Sequence, residues 1–326
     1  LGALLGQWVG WLVRSTKLPP GPVPLPLLGN LLHLVTSPFS HRYLAQLSRC
    51  YGPILFLRLG TSPTIVVSSP SLARNVFQSH DKSFAGRPPS EVSRRLFYGG
   101  DKAAFTSPYG PDWRFTRKLY ALHVLNTRRI QELHFPVVVD EVRRLVRRLY
   151  STTVSGGPVI VNLTDNFSSL MESITCRVIF RERASDVNII ANVVTRGIGR
   201  KLELNLAHLV REGACLFGAR LVTDFVPFLG FLDYSTKQAM DRWFSCFDAV
   251  MDAILSKREA EAEINMVGRL PDSGKETPPR DILDVLLACQ EPPLSRDKIK
   301  AMMTVCISNL LTKTLGITKY EIVVKV

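Results

Sequence analysis

One stretch of the chain alternates like a β-ribbon, and nearly everything beyond residue 110 repeats with the period of a helix. GPILFLRLGTSPTIVVSS, residues 52–69, carries two β-rich runs around a Gly-Thr-Ser-Pro turn and predicts an antiparallel hairpin. In FPVVVDEVRRLVRRLY, Val139, Val142, Leu145, Val146 and Leu149 recur on one helical face, with Arg143, Arg144, Arg147 and Arg148 away from it. VNLTDNFSSLMESITCRVIF, residues 161–180, and the segments around 187–210 and 235–258 continue in the helical manner. DILDVLLACQ and SRDKIKAMMTVCISNLL, the second capped by Ser295, are the last two helices, and the tail ITKYEIVVKV changes to an alternating period. A single hairpin cannot supply a sheet core, so the helices must bury one another. The expected fold class is mainly α with a small antiparallel β-hairpin.

The rest of the chain punctuates this pattern. LPPGPVPLPLLGN, residues 18–30, has five prolines in nine residues, which makes a stiff extended spacer that fixes distance and tilt. SHRYLAQLSRCYG reads as an amphipathic helix ending at Gly52, and Ser69-Pro70 caps a further helix to about Ser79. Phe84 to Tyr109 is a long loop with one short helix, a length that usually carries function. From Ser256 to Arg280 charge, glycine and proline take over, and a mobile connection is expected.

LGALLGQWVGWLV, residues 1–13, is uncharged, with Arg14 and Lys17 behind it. As a helix it spans about 20 Å of the roughly 30 Å hydrocarbon core. Its positive charge follows the apolar run, where a secretory signal has it first. A truncated membrane anchor over 1–16, with the remainder in the cytosol, is the expectation; an ordinary amphipathic opening helix is the alternative. Lysine and arginine number 41 against 28 acids, a net charge of +13, which calls for an anionic partner. No nucleic-acid motif accompanies that charge and the arginines are spread over several helices, so no nucleic-acid partner is expected. The six cysteines, Cys50, Cys176, Cys215, Cys246, Cys289 and Cys306, form neither metal knuckles nor a disulfide scaffold and read as buried thiols.

GPDWRFTRKLYAL, residues 110–122, opens a helix with a first-turn proline and an acid at the positive dipole end. Four residues advance a helix by about 400°, so Trp113 and Arg117 share a face, and Arg114 and Lys118 share the next. An indole N–H and a guanidinium together suit something anionic and planar, such as a carboxylate-bearing cofactor. A core tryptophan beside a surface arginine satisfies the same spacing.

The order of these pieces resembles the N-terminal part of a plant cytochrome P-450, the haem-thiolate monooxygenase family. The pieces are the apolar start, LPPGPVPLPLLGN, YGPILFLRLG, SHDKSFAGRPPS, FTSPYGPDWRFTRKL, VNLTDNFSSLMESITCRVIF and LSRDKIKAMM, which resembles the lead into the family's long central helix. The likeness covers about residues 18–303. It implies the N-terminal part of the cytochrome P-450 fold, divided into a proline-rich hinge over 17–30, part of the catalytic domain over 31–303 and a divergent tail over 304–326. It implies haem as cofactor, with Trp113 and Arg117 matching the pair that bonds the propionates. Arg114 and Lys118 then face the family's acidic reductase. The loop from Phe97 to Tyr109 and the segments around 196–212 and 229–240 would line the substrate pocket.

The family's oxygen-activating Ala-Gly-x-x-Thr bend, Glu-x-x-Arg pair and Gly-flanked cysteine are not in their expected places. Beyond Met303 the chain reads TVCISNLLTKTLGITKYEIVVKV, and RCYG, TCRV, ACLF, SCFD, ACQE and VCIS all lack the flanks of the iron ligand. Glu91 to Arg94 and Glu141 to Arg144 have the spacing but precede the central helix. The expected metal ligand and catalytic residues are therefore none, the chain reads as a shortened product inactive by itself, and haem is not expected to be retained. In complete form it would insert oxygen into a lipophilic, phenolic or flavonoid-like small molecule. Electrons would come from NADPH through cytochrome P-450 reductase at the endoplasmic reticulum membrane, with the globular part facing the cytosol. The alternative is a non-catalytic, membrane-tethered helical fragment that binds the reductase or a full-length relative. The sequons at Asn162 and Asn166 lie on the cytosolic side in this topology.

Overall fold

The computed structural model describes residues 18–37, 39–154, 160–183, 185–186, 188–195, 198–267, 281–289, 294–317 and 323–325. The expected anchor over 1–16 lies outside them. The chain divides into two units, residues 1–86 with 220–235, and residues 87–219 with 236–326.

In the first unit, helices α1 (Leu31–Thr36) and α2 (Ser40–Tyr51) precede strands β1 (Ile54–Leu59) and β2 (Ser62–Val67). The strands pair antiparallel from Ile54↔Val67 to Leu59↔Ser62. The turn is tighter than the four residues expected, because Ser62 and Pro63 already belong to β2. Leu55, Phe56, Leu57 and Leu59 are all buried, so β1 is covered on both faces rather than one. Leu55, Leu57 and Leu59 pack with Leu47, Leu34, Tyr43, Leu44 and Phe225. The proline-rich segment also lies against β1. The Phe56 amide donates to the Pro20 carbonyl at 3.0 Å, and a Cβ on Gly21 would sit 2.0 Å from the Phe56 carbonyl oxygen, so only glycine allows the approach. Asn30 fastens the same segment: its Oδ1 accepts from the Arg58 amide at 2.9 Å, and its Nδ2 donates to the Pro22 and Val23 carbonyls. Ser69 caps α3 (Pro70–Arg74) by accepting from the Leu72 amide; a π-helical turn carries the chain to Ser79, and α4 is Asp81–Phe84.

The second unit is helical throughout its core. Its elements are α5 (Glu91–Leu96), α6 (Pro111–Leu119), α7 (Thr127–Arg129), α8 (Phe135–Val154), α9 (Leu163–Phe180), α10 (Leu206–Phe217), α11 (Tyr234–Val267), α12 (Ile282–Leu287) and α13 (Arg296–Ile317). Helix α13 packs on α9 and α10, and α8 on α9. Met240, Trp243, Phe247, Val250, Met251 and Leu255 of α11 are buried, as are Ala301, Met302 and Met303 of α13. The rings of Phe97, Phe217, Trp243 and Phe247 follow one another at 4.7–5.3 Å, the outer pairs stacked and Phe217 meeting Trp243 edge-on. Ser295 accepts from the Lys298 amide as the expected cap of α13. Asn162 caps α9 through Thr164 and Asp165, and Asn166 Nδ2 donates to the Asn162 carbonyl, so both sequon side chains serve the helix start. The alternating tail forms β6 (Val323–Lys325), antiparallel to β3 (Ile160–Asn162).

Four expectations are corrected. The helix expected around 187–210 is instead a hairpin, β4 (Asn188–Thr195) with β5 (Ile198–Asn205), before α10 begins at Leu206. The charged stretch from Ser256 is helical through Val267, and only 268–280 lies outside the described residues. Its charges are ion-paired to other elements: Lys257 to Glu182, Arg258 to Asp281 and Glu259 to Arg296. The apolar face of α8 is buried at Leu145 and half-buried at Val139 and Leu149; Val142 and Val146 are exposed. Of the cysteines, Cys176 is buried, but Cys50 and Cys215 are exposed.

Candidate functional site

The helix start read from GPDWRFTRKL is α6. Gly110 is its extended N-cap, Pro111 its first residue and Asp112 the acid of its first turn. Thr116 and Leu119 are buried and turn α6 toward the core; Thr116 Oγ1 also donates to the Asp112 carbonyl at 2.8 Å. Two bonds to α13 fix its position. Lys298 Nζ donates to Asp112 at 3.2 Å and lies 5.0 Å over the Phe115 ring. The Tyr120 hydroxyl, on the π-helical turn that follows α6, donates to the Met302 carbonyl at 2.7 Å. Burial pushes that phenol well above its ordinary range, so it remains a donor across the physiological range.

Trp113 and Arg117 are brought together as their spacing requires. The Arg117 guanidinium lies 5.1 Å from the centroid of the Trp113 ring. Tyr109 extends the layer at 5.3 Å from Trp113, and Arg114 lies over Tyr109 at 5.4 Å. Trp113 is half-buried, whereas Arg114, Arg117 and Lys118 are exposed. Among the described residues none of these three cations has a carboxylate partner, unlike Arg94, Arg95, Arg177, Arg183, Arg211, Arg258 and Arg296. The result is an aromatic and cationic surface with donors to spare, suited to acidic groups on a flat ligand.

The loop from Phe97 to Tyr109 is more deeply held than a surface loop. Phe97, Tyr98, Ala103 and Ser107 are buried, and Tyr98 is strained at φ 51°. The sequence reasoning missed what holds it. Tyr98 donates to Asp248 Oδ1 at 2.9 Å, and Lys300, only 4% exposed, donates to Asp248 and Asp252, each at 2.7 Å. Lys102 pairs with Asp297 at 2.7 Å, and Arg95 joins Asp241. Asp241, Asp248, Asp252 and Glu259 recur at seven, four and seven residues, one acidic line along α11. That line was the signal available in the sequence. Of the segments expected to line a pocket, Ile198–Asn205 is strand and 206–212 is the start of α10; Pro227–Asp233 is a 3-10 turn leading into α11.

The family model for cytochrome P450 matches residues 19–308. The chain belongs to the cytochrome P450 family. Haem is that family's cofactor, and the curated relatives described below are plant proteins. Cytochrome P450 750A1 of Pinus taeda is 35% identical over 275 residues, covering 84% of this chain and 49% of the relative. The 6,7,8-trihydroxycoumarin synthase of Pastinaca sativa is 32% identical over 293 residues, 89% of this chain and 53% of that enzyme. Cytochrome P450 71A9 of Glycine max is 34% identical over 301 residues, 89% of this chain and 54% of it. The chain thus spans about half the length of the curated relatives it matches. A zebrafish cytochrome P450 solved with progesterone superposes with a TM-score of 0.59 at 18% identity, over 84% of this chain and 56% of that one. That likeness establishes the shared fold. Among the described residues no group of three or more His, Cys, Asp or Glu could hold a metal ion.

Proposed function

We propose that this chain is the haem-gripping, reductase-facing half of a plant cytochrome P450 monooxygenase that acts on a lipophilic small molecule. The observation that carries the reading is the Arg117 guanidinium, without a carboxylate partner among the described residues, lying over Trp113 on a helix pinned to α13 at both ends. Trp113 and Arg117 would donate to the haem propionates, and the charge-assisted pair would orient the ring's acidic edge. When bound, haem supplies the oxygen-activating iron. None of the cysteines within residues 1–326 has the family's flanks, so these residues alone are not expected to turn over. Arg114 and Lys118, exposed and without acid partners among the described residues, would meet the acidic surface of an NADPH-dependent reductase. The same observation favours the second reading, a non-catalytic fragment that captures the reductase or a full-length relative. Residues 1–16 would tether the protein to the endoplasmic reticulum membrane with the globular part in the cytosol. The synthase names among the relatives support a small phenolic substrate, such as a coumarin.

Titration with haemin and with its dimethyl ester, which lacks the acidic arms, tests the propionate grip. Haemin should bind weakly and be lost during purification, Arg117→Ala should weaken it about tenfold, and the ester should bind wild type and variant alike. Equal affinity of wild type for haemin and the ester would refute the assignment. A pull-down with the reductase should fail for Arg114→Glu with Lys118→Glu while haemin binding stays unchanged; retention of the reductase by that variant would remove the docking role. A thiolate-type band of the reduced carbon monoxide complex would refute the claim of inactivity.

A further inference from the structure

The chain leaves α5 through three consecutive left-handed residues, Tyr98, Gly99 and Gly100, at φ 51°, 92° and 85°. Glycine takes that region freely. A tyrosine there sets its Cβ close to the following carbonyl oxygen, and it keeps the conformation only where its surroundings impose it. Three contacts from two other helices do so. The Tyr98 hydroxyl donates to Asp248 Oδ1 of α11 at 2.9 Å. The Tyr98 ring meets Phe244 of α11 edge-on at 4.9 Å, and Lys300 Nζ of α13 lies 5.9 Å from its centroid. Lys300 also spans Asp248 and Asp252, which fixes the carboxylate that receives the hydroxyl. Burial, with Asp248 beside it, pushes the phenol above its ordinary range, so it stays a donor.

The ends of the segment are held separately. Arg95 of α5 pairs with Asp241 and Leu96 is fully buried, while α6 is pinned to α13 through Asp112 and Tyr120. Between these ends Lys102 joins Asp297 at 2.7 Å, but both side chains are partly exposed, and such pairs hold little. The backbone closes mainly on its own stretch: the Gly99 amide donates to the Arg94 carbonyl at 3.1 Å, the Gly100 amide to Phe97 at 3.0 Å, and the Thr106 and Ser107 amides to Ala103.

We infer that Tyr98 is a latch: its hydroxyl bond to Asp248, kept in place by Lys300, holds the strained turn shut, and when that bond breaks residues 99–109 open as one unit while α5, α6, α11 and α13 stay folded. The inference rests on the geometry of the second unit alone and is independent of the haem reading. Magnitude and strain choose Tyr98 over Lys102 as the hold. A hydrogen bond to a part-buried carboxylate outweighs a partly exposed ion pair. Of the two residues, Tyr98 is the one at positive φ, so its backbone relaxes on opening.

Hydrogen exchange of the 326-residue chain, followed by mass spectrometry, reads this opening at the amides of Gly99 and Gly100. Tyr98→Phe keeps the ring and leaves Asp248 bonded to Lys300, so it removes the hydroxyl bond alone. It should speed exchange over residues 98–109 about thirtyfold, with peptides from Trp243 to Leu255 of α11 unchanged. Lys102→Met should alter the same exchange by no more than about threefold. Asp248→Leu should open the segment at least as far as Tyr98→Phe, and adding Tyr98→Phe to it should open it no further, since both remove one bond. A chemical readout is independent of exchange. At Ser107→Cys, where the native side chain is 3% exposed, iodoacetamide should react about thirtyfold faster once Tyr98→Phe is added. Unchanged exchange in Tyr98→Phe, an equal rise in α11, an additive double variant, or labelling at position 107 indifferent to Tyr98→Phe would each overturn the proposal. So would an effect of Lys102→Met as large as that of Tyr98→Phe.

Discussion

Replacing Arg258 with methionine isolates the most deeply buried ion pair among the described residues. Arg258 Nη2 donates to Asp281 at 2.9 Å and to the Phe180 carbonyl at 2.7 Å, so one side chain joins α11, the end of α9 and the cap of α12. The two side chains are 8% and 1% exposed. Methionine fills much of the volume but, among the described residues, leaves the Asp281 carboxylate the Asp284 amide at 2.7 Å and Arg181 at 3.8 Å. Breaking a buried pair from one side costs about 3–5 kcal/mol, and the two surviving contacts place this case near the lower end, about 3 kcal/mol. For a unit of this size that is a fall in Tm of roughly 6–12 °C. The pH dependence follows from burial, which holds the Asp281 carboxyl above its ordinary value of 3.8 against the pull of the Asp284 amide and Arg258. A carboxyl raised on folding stabilises fully below its unfolded value, and that contribution is lost as pH rises through the folded one. Removing Arg258 raises the folded value further, so the penalty should be larger at about pH 7 than at about pH 4.5. Urea denaturation at both pH values, read by circular dichroism, measures it. Arg258→Met with Asp281→Asn should recover all but about 1 kcal/mol, because no buried charge is left alone. A loss below about 1 kcal/mol near pH 7, a larger loss at the acid end, or no recovery in the double variant would refute the reasoning.

Gly213→Ala should destabilise the second unit by about 1–3 kcal/mol and shift tryptophan fluorescence. The new Cβ would lie 2.5 Å from the ring of buried Trp243, which donates Nε1 to the Leu209 carbonyl at 2.7 Å and cannot retreat without losing that bond. Alkylation followed by mass spectrometry should modify Cys50 and Cys215 first. Cys176 should resist until the protein unfolds, because burial pushes its thiol up to about 12. Lys102→Met should cost under about 1 kcal/mol near neutrality, the pair being partly exposed, and less in acid. The hydrogen bond from Lys102 lowers the Asp297 carboxyl below 3.8, so its stabilisation is present above that value and lost as pH falls through the folded one. A Lys102→Met effect that grows on acidification would reverse the assignment.

Local chemistry was legible in the sequence; the number of neighbours was not. Ser69, Ser295 and the Gly110-Pro111-Asp112 start act where the sequence placed them, because capping depends on residues within one turn. The β4–β5 hairpin was misread as helix although Ile189, Ile190, Val193 and Val194 are β-branched, a composition that favours strand. Lys257, Arg258 and Glu259 read as a polar break because their partners, Glu182, Asp281 and Arg296, come from distant segments. Val142 and Val146 show the converse error, since periodicity tells which residues can be covered and not whether a neighbour arrives. At the candidate site, the Trp113–Arg117 pairing followed from four-residue spacing. The buried Lys300 that organises Tyr98, Asp248 and Asp252 did not, because a lysine in a helical run ordinarily reads as surface.

The clamp on the proline-rich segment has a mechanical consequence. Phe56, Gly21 and Asn30 tie residues 20–30 alongside β1, so this strap is a fixed lever arm and not a swivel. Force transmitted along the chain toward residue 18 would meet the hairpin in shear, loading several hydrogen bonds together instead of peeling them one after another. The heading of the chain at residue 18 is therefore inherited from the ribbon itself.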